Sequence, residues 1–96
     1  MTTDEARPRF SPGACVSTPG ALAAMEASGD SPHTFLNRHV SGDWGEVDAD
    51  DKAANDRDLH DEGRLLSAYT LKDGTRIWVI TEADRSSTCV LLPEEY

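Results

Sequence analysis

The chain has 96 residues with 38% apolar content and two each of Phe, Trp and Tyr, enough for one small hydrophobic core and too little for two independent ones. Its formal net charge of −9, from 18 acidic against 9 basic side chains, repels phosphate backbones and disfavours direct DNA or RNA binding; a basic protein surface is the more natural partner. Cys15 and Cys89 stand far apart with no CxxC pair, so they read as reduced thiols of a cytoplasmic protein, without a disulfide framework or zinc spacing.

Residues 1–12 hold Pro8 and Pro12, both charge signs and only Phe10 as a large apolar side chain, and read as a flexible arm ahead of one α+β domain over 13–96. No targeting signal or membrane-length apolar run is visible. Thr18-Pro19 gives an N-cap with proline at the first helical position, and Leu22, Met25 and Gly29 complete a helix expected over 19–28. The grammar repeats with Ser31-Pro32. Phe35, Leu36, His39 and Val40 then share one helical face that should pack on a sheet, and Ser41-Gly42 ends it. Between Gly42 and Gly45, Trp44 is expected to anchor its loop in the core rather than to be presented.

Residues 43–62 carry Asp43, Glu46, Asp48, Asp50, Asp51, Asp56, Asp58, Asp61 and Glu62 against Lys52 and Arg57. A third helix is expected here, capped by Asp48 and stopped by Gly63, with Ala49, Ala53, Ala54 and Leu59 as a thin apolar stripe. Its outer face is either a solvated acidic surface or a partner-binding one. A calcium loop fails, because Ala53 replaces the required glycine and Leu59 the closing glutamate.

The remainder reads as a three-stranded antiparallel meander. Strands are expected over 64–71 and 75–81, joined at Asp73-Gly74, and over 88–92, ended by Pro93. Alternation places Leu65, Ser67, Tyr69 and Leu71 opposite Leu66, Ala68 and Thr70, and Ile77, Val79 and Thr81 opposite Arg76, Trp78 and Ile80. Two or three short helices should cover one face, leaving Trp78 and Tyr69 to half cover the other, a candidate binding face.

For chemistry, His33, His39 and His60 lack metal-site spacing, so no metal or other cofactor is expected, and Cys15 reads as an unreactive loop thiol. The strand-end loop Thr81-Glu82-Ala83-Asp84-Arg85 gathers two carboxylates and a guanidinium; with His39 or Arg38 beside it, acid–base chemistry on a phosphodiester becomes conceivable. The helices-then-sheet layout resembles, at fold level only, small ribonuclease toxins of the barnase and RelE type, although those offer RNA a basic surface. The plainer reading pairs Arg85 with Glu82 or Asp84.

Phe35-Leu36-Asn37-Arg38-His39, Gly42-Asp43-Trp44-Gly45, Arg64-Leu65-Leu66-Ser67-Ala68-Tyr69, Trp78 through Arg85 and Leu91-Leu92-Pro93-Glu94-Glu95-Tyr96 resemble a family of small uncharacterised bacterial proteins of plasmids, phages and integrated elements, often labelled plasmid-related. The resemblance covers most of the chain after about residue 33 and implies a mobile-element setting, with no activity or catalytic residues to carry over. The function expected is that of a small acidic, non-enzymatic interaction protein that occupies a basic surface of a protein partner and inhibits a host defence or nucleic-acid-binding factor. Asp43, Trp44, Asp50, Asp51, Asp56, Asp58, Glu82, Asp84 and Arg85 are the residues expected at that contact.

Overall fold

The capping signals fold as they read. In the computed structural model, which describes residues 8–96, α1 spans Pro19–Ser28, α2 Pro32–Val40 and α3 Ala49–Asp61. Thr18 Oγ1 accepts the Ala21 N–H at 3.1 Å, Ser31 Oγ the His33 N–H at 3.3 Å and Asp48 Oδ1 the Asp51 N–H at 2.8 Å, so each helix has a first-turn donor satisfied by its cap. Gly29 closes α1 in the left-handed region, whereas α3 closes at Glu62, with φ of 59°, one residue before the expected Gly63.

Strands β2 (Leu65–Thr70), β3 (Arg76–Thr81) and β4 (Ser87–Leu91) pair antiparallel in sequence order. The sheet is nevertheless not a three-stranded meander. A fourth strand, β1 (Ala14–Ser17), joins β4 in parallel, giving a mixed sheet in the order β1-β4-β3-β2 within an α+β fold. Ala-Cys-Val-Ser shows too little alternation to read as a strand, and its extended form comes from the partner: the Ala14 N–H reaches Ser86 O at 3.0 Å and the Thr18 N–H reaches Val90 O at 2.9 Å. Gly13 permits the entry, since at φ 68° a Cβ would strike the carbonyls of Arg85 and Ser86.

Helices α1 and α2 cover one face, where Ala21, Met25 and Phe35 pack on Tyr69, Leu71, Ile77, Val79 and Val90. Burying each of the larger side chains contributes about 1.5–3 kcal/mol, which makes this face the main source of stability. Tyr69 belongs to it, correcting its assignment to the opposite side: Tyr69 pairs with Ile77 across β2 and β3, and its ring lies 5.4 Å from Phe35. On the outer face Trp78 meets Tyr96 edge-on at 5.6 Å.

Of the arm expected over 1–12, residues 1–7 lie outside the described residues, and the rest is held. The Arg9 N–H bonds Val40 O at 2.7 Å, and Phe10 stacks at 6.4 Å from Trp44 and lies edge-on to His39 at 5.3 Å.

Candidate interaction site

The acidic helix is fastened by a polar residue. Asn55 is the buried residue of α3, and its side-chain amide donates to Leu66 O at 2.6 Å while accepting the Leu66 N–H at 3.0 Å. An amide used this way imitates a strand neighbour, so α3 lies along the outer edge of β2 and satisfies it. The segment before α3 closes the next outward-facing residue, two positions on: the Ala68 N–H bonds Trp44 O at 3.1 Å and the Glu46 N–H bonds Ala68 O at 2.7 Å. Gly45, at φ 74°, is required between them, because a Cβ there would meet Ala68 O and the Tyr69 ring.

This anchoring sorts the residues expected to bind a partner. Asp50 and Asp51 are exposed on the first turn of α3, and Asp61 and Glu62 are exposed at its end. Trp44 is the anchor expected of it, 3% exposed, and its indole N–H donates to Asp56 Oδ1 at 2.9 Å, so Asp56 supports the loop as well as facing water. Asp43 takes Arg38 through two bonds of 2.7 and 3.3 Å; the Arg38 bond holds its carboxyl below the usual range. Arg38 in turn stacks 4.5 Å over Tyr69, whose hydroxyl donates to Asp43 O. Asp58 is partly covered, 3.6 Å from Arg57.

The 81–85 loop is organised differently from its sequence reading. Arg85, at φ 61°, bonds backbone carbonyls rather than the carboxylates of Glu82 or Asp84: Gly63 O at 2.6 Å, Asp58 O at 2.8 Å, and Glu82 O and Ala83 O at 3.3 Å. A guanidinium at the carbonyl end of α3 complements the helix dipole and ties the loop to the acidic helix. Glu82 instead lies 3.7 Å from Arg64, and Asp84 accepts the Ser86 N–H at 3.0 Å; hydrogen bonds from Ser86 hold the Asp84 carboxyl low. The loop and α3 are thus adjacent, with Arg85 as an internal brace rather than a free contact.

His39 does not reach this loop as an accessible acid or base. It is fully buried, with Nδ1 2.6 Å from Ser67 Oγ and Nε2 2.8 Å from Thr81 Oγ1, and the chain continues from Thr81 Oγ1 to Thr88 Oγ1 at 2.6 Å and on to Pro12 O at 2.8 Å. Because Pro12 O can only accept, Thr88 donates to it, Thr81 to Thr88, His39 Nε2–H to Thr81 and Ser67 to Nδ1. One neutral tautomer satisfies every member. Burial, with the nearby charge of Arg85, lowers the His39 pKa to about 4. Ser67, Thr81 and Thr88 gave no sign of this role in sequence beyond falling on the apolar phase of their strands.

On the outer face Arg64, Leu66, Trp78, Ile80 and Tyr96 line a shallow apolar cavity of about 240 Å³, with Arg64 donating to the Tyr96 hydroxyl at 2.7 Å. Among the described residues no cluster of His, Cys, Asp and Glu is placed to hold a metal ion, and no helix is long and apolar enough to cross a membrane. Compared with protein-family models, curated proteins and solved structures, the chain matches none.

Proposed function

We propose that this is a non-enzymatic interaction protein that lays the acidic edge formed by α3 against a basic surface of a protein partner. The observation that supports the reading is the way α3 is held. Its buried residue is Asn55, used to fasten the helix to the β2 edge, and Asp50, Asp51 and Asp61 stand exposed on a fixed support. Fixed carboxylates steer encounter with a basic groove, and their spacing on a rigid helix costs little further ordering when the partner docks. The mobile-element setting implied by the resemblance read from the sequence is part of the same proposal. In that setting the partner is a host defence or nucleic-acid-binding factor whose basic groove is occupied and inhibited.

The ribonuclease alternative draws no support from this geometry, since His39 is sealed behind Ser67 and Thr81 and Arg85 is spent on carbonyls. Asp56 and Asp58 have structural attachments, so the informative variant changes Asp50, Asp51 and Asp61 to Asn. In affinity capture from bacterial lysate, wild type should retain a basic protein that elutes with salt, and the triple variant should lose it while keeping its circular dichroism. Identical capture by both proteins would overturn the proposal.

A further inference from the structure

The two edges of the sheet are built in opposite ways. The β2 edge is closed by Asn55, Trp44 and Glu46, whereas among the described residues no strand pairs with the outer side of β1. Since the N–H groups of Ala14 and Thr18 point inward to β4, alternation turns those of Cys15 and Ser17, with their carbonyls, outward. This open edge is also the neutral part of an acidic molecule: residues 10–25 contain no charged side chain in a chain of net charge −9. Val16 on β1 is 53% exposed and Leu22 on the following helix 42% exposed, two of the large apolar side chains left in solvent. The carboxylate at the end of the strand, Glu95, is engaged by the Thr18 hydroxyl at 2.5 Å and the Leu92 N–H at 2.8 Å.

We infer that this edge binds a second copy of the chain, β1 against β1 in antiparallel, about a twofold axis at Val16. The register follows from the outward groups. Cys15 and Ser17 of one copy exchange N–H···O bonds with Ser17 and Cys15 of the other, and the two Val16 side chains face each other at the intervening non-hydrogen-bonded position, with Cα atoms about 4.5 Å apart. Val16 is in register with Cys89, Ile80 and Leu66, so the pairing carries one apolar row of the outer face across both sheets. Charge selects a second copy over other partners: the edge offers an acidic or basic surface nothing to pair with, while two strongly negative chains meet with least repulsion through their neutral sides. Pro12 and Pro19 limit the pairing to the four residues of β1, and the closed β2 edges end the sheet at the dimer rather than allowing a fibre.

Sedimentation of the full chain over a concentration series tests this. The expected result is a monomer–dimer equilibrium that tightens as salt screens the net charge. Val16→Lys, which places two ammonium groups face to face while touching no internal bond, should weaken dimerisation on the order of 100-fold with an unchanged circular dichroism spectrum. In a Cys15→Ser, Cys89→Ser background, Val16→Cys should oxidise to a cross-linked dimer, because the separation at the axis lies within disulfide reach. The Asp50, Asp51 and Asp61 variant should dimerise as wild type does, which separates this inference from the proposed function. A monomer at every concentration, a dimer untouched by Val16→Lys, or a Val16→Cys protein that does not cross-link would each overturn it.

Discussion

His39 shows how a buried polar residue turns into a dependence on pH. Its ring is neutral in the fold, with its pKa lowered to about 4 from the model-compound value of 6.5, chiefly by burial. The unfolded chain therefore takes up a proton first on acidification. The contribution is complete above pH 6.5 and is lost as pH falls from there towards 4, at about 1.4 kcal/mol per unit and about 3 kcal/mol in all. Asp43, held low by Arg38, adds its own loss in a lower window, below the ordinary carboxylate range. Urea titrations should show midpoints level between pH 7.5 and about 6.5 and falling from there to pH 4.5, and His39→Asn should be less stable at pH 7.5 with a flatter slope below pH 6.5. A wild-type midpoint constant from pH 7 to 5 would contradict this assignment. Sequence alone showed His39 on the packing face of its helix; the hydroxyl chain behind it was hidden, because Ser67, Thr81 and Thr88 are ordinary strand residues until three strands are aligned.

At the scale of elements, α3 depends on Asn55 more than on its apolar stripe, of which Ala54 and Leu59 are only half-buried and Ala49 and Ala53 exposed. Asn55→Ala leaves the N–H and carbonyl of Leu66 without partners, at a cost of about 2–4 kcal/mol. The expected signature is rapid amide exchange at Leu66 together with a weakened near-ultraviolet signal from Trp44, which leans on the same helix through Asp56. Helix boundaries were legible because Thr18, Ser31 and Asp48 cap locally, and β2 to β4 because alternation and Asp73-Gly74 act over short distances. Two features were not. The face of Tyr69 depends on the phase between strands, which the turn fixes through the Leu71 N–H to Thr75 O bond of 2.7 Å, and β1 depends on a partner at the far end of the chain. The candidate site was legible as a charge count and not as a surface: Asp56 and Asp58 look like Asp50 and Asp51 until Trp44, Arg57 and Gly63 are set beside them.

For the molecule as a whole, the excess negative charge predicts behaviour towards nucleic acid directly. With a net charge of −9 there is no counterion release to drive binding, so no affinity for duplex DNA should be measurable at physiological salt, and a salt-sensitive gel shift with plain duplex would contradict this. The parallel pairing of β1 with β4, which joins Ala14 to Ser87 and Ser17 to Val90, bears on how the molecule is assembled. Local contacts let β2, β3 and β4 form first, while β1 must close a loop spanning nearly the whole chain. Gly13→Ala, which disturbs only that late docking, should therefore speed unfolding in stopped-flow experiments and leave the folding rate nearly unchanged. The same geometry imposes an order on synthesis. β1 leaves the ribosome before β4 and has no partner until Ser87–Leu91 has been translated and has emerged, so the nascent polypeptide carries an orphan strand while the three helices and two strands between them are made. That strand is free of charge and four residues long, so until β4 arrives both of its edges stand unpaired.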